Sequence, residues 1–205
     1  MNDDSKNYKV EAKEYRKTIS GWPTDTFEID YYNSDSNRLY PHTVLMFVPG
    51  NPGCAGWYIS MVKTIVERLG IGYAARAVSY AGHGVDPHVV RAIEEREHKA
   101  RDYKIAWTVD GQIEHKIEWI DQVTDDFVSS GPQSGLPNFI FLSHSIGSHL
   151  VQQSCVLRKD VLIRTKAIIH LMPCKYYESA HFYPQLCLNN LFLNPIAHTL
   201  RTFFS

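Results

Sequence analysis

The chain has 205 residues, 44% of them hydrophobic and 21% charged, with a formal net charge of −1. That length bounds it to a single domain, 1–205, with room for a large core, and so balanced a charge excludes any compositional case for nucleic acid. No apolar run approaches the roughly 18 residues of a membrane span, and the polar start is not a secretory signal.

Residues 1–40 alternate polar with aromatic or aliphatic positions (Tyr8, Val10, Tyr15, Ile19, Trp22, Phe27, Ile29, Tyr31). This predicts one or two leading strands with a turn near Gly21-Trp22-Pro23. Thr43-Val-Leu-Met-Phe-Val48 is a continuous apolar run, the pattern of a strand buried on both faces. Pro49-Gly-Asn-Pro-Gly53 ends it as a loop. Tyr58, Met61, Val62, Ile65 and Leu69 then recur at helical spacing, with Gly70 as the stop. A second core strand is predicted over residues 74–79, ending at Ala81-Gly-His-Gly84. Residues 85–108 are charged and weakly patterned, as in a partly helical surface insertion. Asp110 is placed to cap a helix with Ile113, Ile117, Ile120 and Phe127 on one face, and Gly131-Pro132 breaks it.

Asn138-Phe-Ile-Phe-Leu-Ser-His-Ser145-Ile-Gly147-Ser-His-Leu150 carries the most information. An apolar strand runs into a small-residue turn, and the turn leads into an apolar helix-like segment. That is the layout of a nucleophile elbow, which lifts a serine Oγ above the edge of a parallel sheet. Gly147 meets the need for a small residue two positions after Ser145. Ser143 stands where the pattern G-x-S-x-G has its first glycine. Lys166-Ala-Ile-Ile-His-Leu-Met172 is a further strand. Strands alternating with amphipathic helices imply an α/β fold, a mostly parallel sheet with helices on both faces. After Met172 the rhythm stops, so residues 173–205 read as an atypical apolar tail on a sheet lacking its C-terminal strands.

A serine nucleophile needs a histidine base, a carboxylate to orient that base, and N–H groups aimed at the developing oxyanion. The residue after the nucleophile, Ile146, supplies one N–H. The peptide N–H of Asn51 is the candidate for the other, since Pro52 cannot donate. The base and acid should follow Ser145 in the chain. His170 lies inside a predicted strand, where packing is favoured over catalysis. His181 and His198 have no recognisable strand to hold them. Glu178 and Asp160 are no better placed as the acid, so neither role is assigned.

Val48-Pro-Gly-Asn-Pro-Gly53, Ser79-Tyr-Ala-Gly-His-Gly84, Asp110-Gly-Gln-Ile-Glu-His-Lys116 and Ser143-His-Ser-Ile-Gly-Ser148 together resemble the lipid droplet-associated hydrolase family, across roughly residues 40–173. The resemblance implies an α/β-hydrolase fold and esterase or lipase-like activity on neutral lipids such as sterol esters. It also implies residence on lipid droplets or the endoplasmic reticulum. Only Ser145 and the oxyanion loop carry over, because the family's lipid-associating insertion and the strands bearing its Asp and His find no match beyond Pro173. A shortened, impaired chain is therefore expected.

Milder roles fit the other polar residues. His144 packs or shapes the elbow, and His149 either lines a pocket or is a satisfied helix histidine. His83, between Gly82 and Gly84, fixes loop shape. Gln112-Ile-Glu-His-Lys116 takes a surface or packing role. Glu94, Glu95, Glu97 and His98, with Arg and Lys between them, form a solvated face and not a metal site. The four cysteines (Cys54, Cys155, Cys174, Cys187) are scattered without paired metal spacing and are expected to be reduced in a cytosol-facing protein. No cofactor or metal is called for. The expected function is hydrolysis of a lipid ester through an acyl-Ser145 intermediate. The competing expectation is a non-catalytic lipid-surface or partner-binding protein on a degenerate hydrolase framework, or a chain whose exposed sheet edge prevents folding.

Overall fold

The computed structural model describes residues 8–83, 108–130 and 135–173. A long hairpin opens the chain, with β1 (Tyr8–Ile19) and β2 (Trp22–Asn33) paired antiparallel over their full length. The turn falls at Ser20 and Gly21, both at positive φ. It therefore comes earlier than the sequence pattern suggested, and Trp22 and Pro23 already pair with Ile19 and Thr18. β1 forms one edge of the sheet and carries Lys9, Glu11, Lys13, Arg16 and Lys17, which discourages pairing with another chain.

Four shorter strands follow: β3 (Thr43–Val48), β4 (Tyr73–Val78), β5 (Asn138–His144) and β6 (Thr165–Leu171). The sheet order is β1-β2-β4-β3-β5-β6. β4, β3, β5 and β6 run parallel to one another, and β2 joins β4 antiparallel through Thr26 to Ile29. Every residue of β3 is buried. Its even-numbered side chains Val44, Met46 and Val48 face one core, and Leu45 and Phe47 face the other. The uninterrupted apolar run thus has its cause in helices covering both faces.

The α-helices among the described residues are α1 (Ile59–Leu69), α2 (Val109–Ser130), α3 (Gly147–Leu157) and the short α4 (Lys159–Ile163). α1 packs Val62, Ile65 and Val66 against one face and stops at Gly70, where φ is 86°. α2 and α3 cover the other face through Ile120, Val123, Phe127, Leu150 and Val151. The cap of α2 is Thr108 rather than Asp110: Thr108 Oγ1 accepts the Gly111 N–H at 3.0 Å. Asp110 sits inside the first turn, where its charge complements the helix dipole. Beneath α2, Arg76 of β4 is buried with Asp30 of β2 at 3.1 Å and stacks 5.0 Å from the Phe127 ring centre.

The insertion expected before Thr108, the break at Gly131-Pro132 and the tail beyond Pro173 lie outside the described residues, as do Glu94, Glu95, Glu97 and His98.

Candidate active site

Three loops leave the carboxyl ends of the neighbouring parallel strands β4, β3 and β5, the edge at which open α/β sheets bind their ligands. Ser145 is in the third. Its φ of 51° is the left-handed conformation that an L-residue adopts only when the fold demands it. Here the demand is the reversal from β5 into α3 within two residues. The Ser145 N–H donates to the Leu171 carbonyl of β6 (3.0 Å), and its own carbonyl accepts the Ser148 N–H (3.0 Å). Ser145 is half-buried at the head of α3.

Two glycines make room for this turn. A β-carbon on Gly147 would lie 2.7 Å from the Val48 carbonyl oxygen and closer still to that of Pro49. A β-carbon on Gly50 would lie 2.8 Å from Ser145 Cβ. The backbone of the loop after β3 therefore rests directly against the serine. Gly50 C=O accepts the Gly53 N–H at 2.6 Å. Because a trans peptide points its C=O and N–H in opposite directions, the Asn51 N–H is turned out of this bend. Neither that N–H nor the N–H of Ile146 meets an acceptor among the described residues. Both of the donors chosen from sequence are thus without a partner among the described residues, each attached to a loop that borders Ser145.

His144 is held by Tyr58, whose hydroxyl lies 3.0 Å from Nδ1, so it braces the elbow against the turn after Gly53. His170 stands opposite Ser143 in the β5–β6 register. Gln152 of α3 donates to its Nε2 (3.0 Å), which places the proton on Nδ1, and Nδ1 donates to Ser143 Oγ (2.7 Å). The serine that replaces the motif's first glycine therefore has a specific partner, and His170 ties α3 to the edge strand through it. Burial lowers the His170 pKa. His149 is half-buried near the Asp110 carboxylate; burial pulls its pKa down and Asp110 opposes that.

Among the described residues no imidazole or carboxylate is hydrogen-bonded to Ser145 Oγ. Asp160 is not brought near it. It lies in the first turn of α4, beyond the far end of α3, about 16 Å along the helix axis at 1.5 Å per residue. There the Arg158 guanidinium holds its carboxyl at about 2. His181, His198 and Glu178 lie outside the described residues.

A second polar group escaped the sequence reading in its detail. Gln112, His115 and Lys116 of α2 are all buried, Lys116 to 1% exposure. Lys116 Nζ reaches the Ser79 carbonyl (3.3 Å), Gln112 Oε1 (3.2 Å) and His115 Nδ1 (2.9 Å). Thr24 Oγ1 donates to the Trp22 carbonyl at 3.1 Å and so accepts the His115 Nε2–H at 2.9 Å. That leaves Nδ1 as the acceptor for Lys116. Burial drives the Lys116 pKa well below the lysine range, and burial with Lys116 alongside does the same to His115. The Gln112 carboxamide accepts the Ala81 N–H (3.2 Å) and donates to the Ala81 carbonyl (3.4 Å). In this way α2 grips the loop after β4. His83 in that loop bonds the Pro52 carbonyl through Nδ1, the loop-shaping contact expected of it. The signal was present in the sequence: Gln112, Lys116, Trp119, Val123 and Phe127 form one helical stripe, polar only in its first turns.

In solved structures the fold is similar to a fungal esterase from Rhizomucor miehei (TM-score 0.55, 13% identity, 82% of this chain and 45% of that one). It is also similar to an arylesterase (TM-score 0.52, 13% identity, 83% of this chain and 48% of that one). At such identities the likeness is one of fold, the α/β-hydrolase type. By sequence the chain is 29% identical over 119 residues to the lipid droplet-associated hydrolase of Gallus gallus, covering 58% of this chain and 33% of the relative. It is 26% identical over 121 residues to that of Homo sapiens, covering 58% and 34%. The chain thus spans about a third of the length of these relatives. A model of the lipid-droplet associated hydrolase family matches residues 41–175, well over half of the chain and all three loops around Ser145. The chain belongs to that family.

Proposed function

We propose that this chain carries the nucleophile half of a serine hydrolase acting on carboxylic esters of lipids, with sterol esters and other neutral lipids as the substrate class and a lipid droplet or endoplasmic reticulum surface as the place of work. Ser145 Oγ attacks the ester carbonyl carbon. The carbonyl oxygen becomes an oxyanion between the N–H groups of Asn51 and Ile146. Its collapse expels the alcohol and leaves acyl-Ser145, which water hydrolyses to the free acid. The proton lost by Ser145 goes to a base outside the described residues, with His181 and His198 the first to test. The observation that carries the reading is Ser145 at φ 51° with the Gly50 backbone packed against its β-carbon. The relatives' name, lipid droplet-associated hydrolase, supports hydrolysis and the lipid-droplet location.

The serine's lack of a hydrogen-bonded base among the described residues favours one second reading, a non-catalytic lipid-surface protein that retains the framework. Labelling of the purified chain with a fluorophosphonate probe separates the two, with Ser145→Ala as control and circular dichroism to report folding. Labelling that disappears in the variant supports the hydrolase. A folded chain that stays unlabelled overturns it in favour of the surface protein.

A further inference from the structure

We infer that Tyr80 is the positioning residue of the oxyanion loop, fixing both ends of residues 49–53 from a buried seat on α2; the inference rests on the hydrolase reading above. Tyr80 follows β4 and is 7% exposed. Its hydroxyl donates to the Pro49 carbonyl at 2.8 Å, and its backbone N–H donates to the Gly53 carbonyl at 2.9 Å. One residue thus ties the first and last peptide groups of the loop that presents the Asn51 N–H. Between these two bonds the side chain packs against the loop: a β-carbon on Gly53 would come within 2.7 Å of Tyr80 Cγ. Lys116 Nζ lies over the same ring, 4.7 Å from the centroid. The neighbouring Ser79 Oγ accepts the Ala55 N–H at 3.0 Å, extending the same grip past the loop.

An oxyanion donor accelerates reaction only if it is aimed before the charge develops. A bend held by a single short bond, Gly53 N–H to Gly50 C=O, would let its peptide planes rock. Tyr80 removes that freedom by anchoring the carbonyls on either side. The Pro49 carbonyl it holds is also the group packed against Gly147 at the elbow, so the loop and the nucleophile turn are set by the same contact. With its hydroxyl committed to Pro49, Tyr80 has no donor left for substrate and acts through the loop. Burial pushes its phenol above the ordinary range, so it remains a donor through neutral pH.

The test compares the 205-residue wild type with Tyr80→Phe by two readouts. Hydrogen exchange of the Gly53 amide should quicken at least tenfold in the variant, whether or not the chain is active. Serine labelling should be run with a matched pair of phosphonate probes, one with P=O and one with P=S at the position the oxyanion donors face. The rate ratio of oxygen to sulfur probe should fall roughly tenfold in Tyr80→Phe, part of the 10²–10³-fold worth of a whole donor. A general loss of serine reactivity would lower both rates together and leave the ratio alone. Unchanged Gly53 exchange overturns the inference outright. Faster exchange with an unchanged ratio overturns the positioning role. A wild type that neither probe labels overturns the hydrolase reading, leaving Tyr80 a structural pin only. Should Tyr80→Phe fail to fold, Lys116→Met is expected to quicken the same amide, and no change there overturns the inference.

Discussion

Gly147 lies directly beneath Val48, so close that a β-carbon at 147 would stand 2.7 Å from the Val48 carbonyl oxygen. The obstacle is backbone of the central strand β3, which has no rotamer to give way. Gly147→Ala is therefore expected to cost about 3 kcal/mol, the upper range for overpacking, measured as a lowered urea midpoint at unchanged slope.

Ser145 itself stores strain at φ 51°. Glycine accepts the left-handed region freely, whereas alanine carries the same steric cost as serine. Ser145→Gly is expected to be about 1 kcal/mol more stable than Ser145→Ala in denaturant unfolding. Equal stabilities would mean that the turn relaxes once the hydroxyl is gone.

How much of this was legible beforehand depends on where each residue's partners lie. β3 and the strand before Ser145 were readable because both faces are covered, which leaves an unbroken apolar run. The elbow was readable because Ser145 and Gly147 must be small or strained for local reasons. Gln112 and Lys116 lie on the apolar stripe of α2, but their partners were hidden, because polar residues at helical spacing look the same whether they face water or Ser79 and Ala81. Tyr80 was visible only as one letter of a motif, since its two partners lie in a loop roughly 30 residues away in sequence. The cap of α2 was misplaced by two residues, because Thr108 and Asp110 are both good capping residues and only the backbone path decides between them.

The ion pair of Arg76 with Asp30 is buried on both sides. Removing Asp30 leaves the buried Arg76, among the described residues, with only the longer ion pair to Glu28, 3.8 Å away. Asp30→Ala is expected to cost 3–5 kcal/mol on the order seen for broken buried pairs. Replacing both residues by apolar ones of similar size should recover most of that loss. Calorimetric unfolding of the single and double variants checks both.

Lys116 sets a pH dependence of stability whose sign follows from its burial. In the unfolded chain the amine keeps its proton up to about 10.5, while burial lowers the folded value well below that. Between the two values the unfolded state binds the extra proton, so stability rises with pH. One such group gives at most about 1.4 kcal/mol per pH unit. Wild type should become more stable from about pH 9 to pH 10, and Lys116→Met should lose that slope. Tyr80 works in the opposite direction only above its unfolded value of 10, where the unfolded phenol ionises and the folded one does not. Urea titrations at a series of pH values read both effects.

The two strands that carry the Pro49–Gly53 loop and the elbow, β3 and β5, are direct neighbours in the sheet yet pair across about 95 residues of chain, Thr43 with Asn138. Closing so long a segment is an entropic cost that must be met before the pairing gives anything back. During refolding, α1 and the β1–β2 hairpin can form from near neighbours, but the site has no local precursor. Helical signal should therefore return ahead of amide protection in β3 and β5. A chain caught midway would have its local elements in place and the loops around Ser145 still apart.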